Sequence, residues 1–466
     1  MTTHLRRAGF TSAALVALAA AASAPATAAP ATGTDAAASF LAGQFAAGGH
    51  QLSSTYAGQT YLDAGLSADG ILALTSAGVA GNEAGAATTA FAKGVGDYAM
   101  PGTDVYAGAV AKSLIVAKAQ GQNPRAFGGV DLVSKLQGLE KPSGRFSDVS
   151  AYGDYSNAVT QSLAVIALQK AGAPADAKAT NYLLSLRCND GGFRLADDGS
   201  ACVSDPDATS FAVQALAAAD GHGADVTKAV NFLATKQNAD GGVAGGTGTT
   251  TPNANSTGLA AVAFTLGGQG ARAVKAQSFV ASLQYGCSFP AAVRGAIAYD
   301  RTAFAAMKSA GASGKLAGNE TRATSQGLYA FTRAPLVSLT KGGATTTPAI
   351  SCSSEPTSSP STSTSTTSAP KPTTTSSSNS TSTSATPAPT STTSATSTDA
   401  TAAPTSTTSP SAPSTSTVPQ STSTTPATGP IVNTDKVSDN TVPFGFAFGA
   451  VILVTAGGAV AYARRR

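Results

Sequence analysis

Five carboxylates crowd one short stretch of the chain: Asp190, Asp197, Asp198, Asp205 and Asp207 all fall within about 18 residues. Two chemistries use such a cluster: a positioned acid can protonate a substrate, and grouped carboxylates bind calcium outside cells. Asp190, Asp197 and Asp198 are weak calcium candidates, because their spacing departs from the Asp-x-Asp-x-Asp-Gly loop. A solvated acidic loop is the plainer expectation there. Asp205 and Asp207 are weak candidates for a catalytic acid. Asp207 stands just ahead of an apolar run beginning at Ala208, so the more ordinary role expected of it is capping that helix. His50 and His222 are the only histidines beyond the first 28 residues, and both lie beside glycine. No serine–histidine or cysteine–histidine hydrolase arrangement can be built from them, and no cluster suits zinc. No cofactor is called for.

The four cysteines, Cys188, Cys202, Cys287 and Cys352, favour disulfides in an exported chain. Four cysteines allow three pairings. Cys188 with Cys202 is preferred because the two bracket one loop. Cys287 with Cys352 would tie the end of the folded head to its last long loop.

The elements that must position these residues repeat. An apolar or basic residue followed by Gln or Arg recurs at Leu136-Gln137, Leu186-Arg187, Lys236-Gln237 and Leu283-Gln284, at intervals of about 50, 50 and 47 residues. Glycine turns follow at Gly144-Arg145-Phe146, Gly191-Gly192-Phe193 and Gly241-Gly242-Val243, and a second helical segment then begins near Ala158, Ala208 and Asn255. Val226, Val230 and Leu233 recur at helical spacing, as do Val159, Leu163 and Ile166, which predicts one apolar face per helix. Fainter units around Phe40 to Leu74, Phe91 to Val116 and Phe279 to Phe331 bring the count to about six helical hairpins, or about twelve short helices.

Six such hairpins with Gly-Gly-Phe turns resemble the α/α toroid family. Its members include squalene–hopene and other class II terpene cyclases, protein prenyltransferase β subunits, cobalamin carriers and complement thioester domains. The resemblance covers most of residues 35–352. It implies an all-α domain closed into a ring, with the second helix of each pair lining the centre; periodicity alone would equally allow an open solenoid. It also sets Asp205-Pro206-Asp207-Ala208-Thr209 beside the cyclases' Asp-x-Asp-Asp-Thr motif, Asp205 and Asp207 taking the first two acids and Ala208 replacing the third. The chain has no Trp and is 6% aromatic, which is poor material for a pocket that stabilises carbocations. Gly286-Cys287-Ser288 departs from the thioester core.

The ends speak of location. Arg6 and Arg7, the apolar run Ala13 to Ala22 and the small residues to Ala28 have the layout of a secretory signal peptide over residues 1–28. Residues 353–430 are a Ser/Thr/Pro-rich stalk, expected to be disordered and, at ~3.1 Å per residue, to span on the order of 200 Å. A polar spacer, 431–443, leads to an uncharged span at 444–463 and the basic tail 464–466. This pattern predicts one transmembrane helix with its C-terminus cytoplasmic. Thr425-Pro426-Ala427-Thr428-Gly429 resembles the sortase sorting signal, which would place wall linkage between Thr428 and Gly429.

Five of the 29 basic side chains, Arg6, Arg7 and the last three arginines, belong to these ends. The exterior part is left with 24 basic and 25 acidic groups, a net of −1. That balance does not recommend nucleic acid as a partner. The expectation is a surface-anchored, non-catalytic head that binds an extracellular ligand or protein. The alternatives are a terpene cyclase- or prenyltransferase-like enzyme using Asp205 and Asp207, and a structural or adhesive wall module.

Overall fold

The computed structural model describes residues 33–56, 59–246 and 248–352. The leader, the stalk, Thr428 and Gly429, and the span at 444–463 lie outside the described residues. Among the described residues no helix is long and apolar enough to cross a membrane.

The chain runs through α1 (Thr34–Ala47), a hairpin of β1 (Ser53–Tyr56) and β2 (Gln59–Leu62), α2 (Ala64–Ala77), α3 (Gly81–Lys93), α4 (Val95–Ala99), α5 (Ala107–Ala119) and α6 (Leu132–Gln137). It continues with α7 (Ala158–Ala171), α8 (Ala177–Ser185), α9 (Pro206–Ala218) and α10 (Gly223–Lys236). A two-residue ribbon of β3 (Val243–Ala244) and β4 (Pro252–Asn253) precedes α11 (Ala254–Leu266). The last elements are α12 (Gly270–Ala281), α13 (Arg301–Ala310), α14 (Glu320–Gly327) and α15 (Tyr329–Thr332). The hairpin pairs Ser53 with Leu62 through Tyr56 with Gln59, antiparallel.

The inner helices α2, α5, α7, α9, α11 and α14 touch in that order, and α14 touches α2 again. The path is therefore a closed α/α toroid. The outer layer is α1, α3 with α4, α6, α8, α10 and α12, each packed on the inner helices beside it. The layers differ in composition for a physical reason. Outer α10 buries Val226, Ala229, Val230, Phe232 and Leu233, a stripe at helical spacing that leaves the other face in water. An inner helix has neighbours on all sides. In α7 every residue from Ala158 to Leu168 is buried, including Thr160, Gln161 and Ser162. The expectation of one apolar face at Val159, Leu163 and Ile166 thus holds for outer helices and is corrected for inner ones.

Glutamines staple successive units. Gln237 Nε2 donates to Gly241 O at 3.1 Å and to Arg272 O on α12 at 2.9 Å. Gln284 Nε2 donates to Gly295 O at 2.9 Å and across the ring's seam to Gly33 O at 3.0 Å. The turn at Gly241 has φ +93°, and a Cβ there would overlap the Lys275 carbonyl of the next outer helix. Only glycine both adopts that backbone and permits the approach.

Both disulfides form as preferred from the sequence: Cys188 with Cys202, and Cys287 with Cys352. The second pins a feature that the sequence did not announce. After α15 the chain crosses the end of the ring where the inner helices stop. Leu336 N–H donates to Gln214 Oε1 at 3.0 Å, and Lys170 Nζ donates to the Val337 and Leu339 carbonyls. Residues 344–346 then pair with the backbone of 78–82 through four hydrogen bonds, and the strap ends at Cys352.

Candidate functional site

The inner helices stand in register. Asp69, Lys112, Leu163, Phe211 and Leu259 are each the sixth residue of their helix, and all five line one cavity at the ring centre. Leu72, Gln214, Gln326, Tyr329 and the strap's Leu336 complete its wall, and its volume is about 40 Å³. This layer was missed at the sequence level, yet a signal existed: positions 69, 112, 163, 211 and 259 follow one another at the period of the repeat.

The polar half of the layer is a chain of charges across the ring's seam. Lys112 Nζ lies 2.5 Å from Asp69 Oδ1, and Arg322 places one guanidinium nitrogen 2.7 Å from Asp63 Oδ2 and the other 4.0 Å from Asp69 Oδ2. Asp63 also caps α2, accepting from Leu66 N–H at 2.8 Å and from Ser54 Oγ–H at 2.6 Å. Burial opposes ionisation of Asp63, but Arg322, Ser54 and Leu66 together hold its carboxyl below the usual range. Tyr329 is buried, and burial followed by the Asp69 charge pushes its hydroxyl well up.

Asp205 and Asp207 do not line this cavity. Asp205 is the N-cap of α9: its Oδ1 accepts from Ala208 N–H at 2.8 Å, and Pro206 occupies the first turn. The capping role expected of Asp207 is therefore corrected to Asp205, because the helix starts at Pro206 and not at Ala208. Asp207 sits inside the first turn, buried. Burial raises the Asp205 carboxyl against the lowering effect of the Ala208 N–H.

The calcium candidates are otherwise engaged. Asp190 accepts from Gly192 N–H at 3.1 Å and Ser204 Oγ–H at 2.5 Å. Arg194 lies 2.7 Å from Asp198 and 3.6 Å from Asp197. Among the described residues no group of three or more His, Cys, Asp or Glu comes together to hold a metal ion. His50 lies 2.7 Å from Glu83, and His222 lies 3.4 Å from Asp225.

The face where the inner helices begin carries the long loops. Among the described residues, four of the five large hydrophobic residues that stand exposed are on it: Leu62 before α2, Val149 and Tyr152 in the loop before α7, and Val203 before α9. Val149 forms a backbone bridge with Val105, just ahead of α5. Asp148 fixes this loop, accepting from Ala107 N–H at 2.7 Å and Tyr155 N–H at 3.2 Å.

Burial, with Asp154 nearby, raises the Asp148 carboxyl from 3.8 to about 6. The native state thus keeps this proton at pH values where the unfolded chain has released it. The stabilisation is complete below the unfolded value and is lost as pH rises from about 4 to about 6. Asp148→Asn should remove that loss, so that the variant's urea midpoint, relative to the parent, rises across this window.

No family model matches the chain, and no curated protein matches it. Solved structures do. A protein from Actinoplanes is 15% identical, with a TM-score of 0.46 over 64% of this chain and 99% of its own. The type II terpene cyclase MstE from Scytonema is 13% identical, with a TM-score of 0.47 over 65% of this chain and 98% of its own. The unsaturated glucuronyl hydrolase of Bacillus sp. GL1 is 9% identical, with a TM-score of 0.43 over 66% and 96%.

Proposed function

We propose that the toroid is a non-catalytic binding head, displayed outside the cell on its stalk, which meets a macromolecular partner through the face where the inner helices begin. The observation that carries this reading is the size of the ring centre. A cavity of about 40 Å³ is far below the roughly 300–1,000 Å³ of ordinary ligand pockets. Leucines from α7, α11 and the strap line that centre, and the acid reaching it, Asp69, is paired with Lys112. Exposed apolar side chains on a loop face suit partner contact. The leader, the stalk and the apolar span of the sequence support display at the surface, anchored in the membrane or linked to the wall at Thr428.

A second reading, an enzyme using Asp205 and Asp207, is favoured by one observation: burial shifts Asp205 in the direction that a proton donor needs. Incubating the full chain with polyprenyl substrates separates the two. No turnover is expected; acid-dependent turnover abolished by Asp207→Asn or Asp205→Asn would replace the binding reading with the enzymatic one. On the binding reading, serine at Leu62, Val149, Tyr152 and Val203 should strip beads coated with the chain of their adhesion to envelope or matrix surfaces, while far-UV circular dichroism stays unchanged.

A further inference from the structure

Three of the exposed apolar side chains on the loop face, Val149, Tyr152 and Val203, fall in one sector of it. The sector is built by the connections that lead into α5, α7, α9 and α11, residues 94–106, 138–157, 186–205 and 237–253. These connections lie side by side. Val105 and Val149 exchange backbone hydrogen bonds at 2.7 and 2.9 Å, and Ala158 N–H, at the start of α7, donates to Leu195 O at 2.8 Å. Gly246 packs so closely on the Asp205 carboxyl that a Cβ there would overlap Oδ2. The three apolar side chains therefore belong to one continuous surface.

That surface is acidic. The four connections hold ten Asp and Glu against four Lys and Arg, a formal net of −6. Residues 33–352 as a whole hold 21 acidic and 22 basic groups, so the remainder of the head is net +7. Local pairing does not cancel the imbalance. Arg194 serves both Asp197 and Asp198, whose side chains stay 50% and 60% exposed. Arg187 turns away to Asp225 on α10, and Asp190 is held by Gly192 N–H and Ser204 Oγ–H rather than by a cation.

Apolar side chains set among net negative charge select what covers them. An anionic polymer is repelled, and a neutral surface would leave the carboxylates without a complement. Resting on the binding reading above, we propose that the loop face takes a basic polypeptide surface, one that presents lysines or arginines around aliphatic or aromatic side chains. Its apolar groups cover Val149, Tyr152 and Val203, and its cations stand against Asp190, Asp197 and Asp198. The field of the sector steers the encounter, so association is fast at low salt and slows as salt rises.

The test is fluorescence anisotropy of two labelled peptides with the full chain: one of lysine, leucine, tyrosine and serine, the other its counterpart with glutamate at every lysine. The basic peptide should bind saturably, and about tenfold less tightly in about 500 mM than in about 50 mM NaCl, where exposed charges are less screened. Asp197→Asn with Asp198→Asn should weaken it about fivefold, and Tyr152→Ser with Val203→Ser should abolish saturation. Asp176→Asn with Asp220→Asn, at the other end of the helices, should leave it unchanged. Equal binding of the two peptides, or binding indifferent to salt and to the Asp197–Asp198 pair, would overturn the basic partner. The coated beads report on the binding reading separately. Beads that adhere through the loop face while neither peptide binds would overturn the basic partner alone; beads that never adhere, with neither peptide bound, would sink both.

Discussion

Replacing Arg322 with alanine is expected to lower the stability of the chain by roughly 2–4 kcal/mol, read as a fall in the urea midpoint at pH 7. Arg322 is the cation that spans the seam between the last inner helix and the first. It meets Asp63 at 2.7 Å and reaches Asp69 at 4.0 Å. Removing one partner of a buried pair leaves the other charge uncompensated, which costs about 3–5 kcal/mol in a fully buried setting. The partial exposure of the arginine side chain, 31%, trims that figure.

The pH dependence gives a second readout. Because the Asp63 carboxyl is held below its unfolded value of 3.8, its contribution is present above that value and is lost as pH falls through the folded one. The Arg322→Ala chain, lacking the chief lowering partner, should lose less stability between pH 5 and pH 3 than the parent does. An acid profile unchanged by the substitution would show that the guanidinium is not what keeps Asp63 ionised.

Removing the Cys287–Cys352 bridge by serine at both positions should cost about 4 kcal/mol, against about 3 kcal/mol for Cys188–Cys202. In the chain-entropy account the cost grows with the length enclosed, and the separations are 65 and 14 residues. A local effect should accompany the global one. The strap is held by the Leu336–Gln214 bond, the two carbonyls on Lys170 and the four backbone bonds between 344–346 and 78–82. With its far end cut loose, the amides of Ala80, Gly81, Asn82 and Ala344 should exchange with solvent well before those of α7. Equal exchange in parent and variant would mean that the strap holds without its pin.

The units from Val133 to Phe264 were legible because each repeats a local pattern: a glutamine or arginine at the helix end, a glycine turn, a second helix. The Cys188–Cys202 bridge was legible for the same local reason. Closure was not, because it rests on partners far apart in the chain. Arg322 meets Asp63 across 259 residues, and Gln284 meets Gly33 across 251. The hairpin at 53–62 and the strap at 333–352 fall outside the repeat and carry no periodic signal.

The cap was misplaced by two residues, although Pro206 offered the correction: proline is favoured at the first helical position, which puts the cap on Asp205. Asp69 and Lys112 stayed hidden for a different reason. Read one helix at a time, each is a charge on an apolar helix, and only the alignment of five helices shows them at one level.

The bridge between Cys287 and Cys352 also decides how a pull on the chain would travel. The Ser/Thr/Pro segment begins at Ser353, immediately after Cys352. Tension arriving through that segment passes across the sulfur atoms into Cys287 and bypasses the enclosed stretch with α13, α14, α15 and the strap. The helix that shuts the ring and the segment that seals it are therefore mechanically shielded. A single-molecule trace should show that stretch lengthening under load only once the bridge has been reduced.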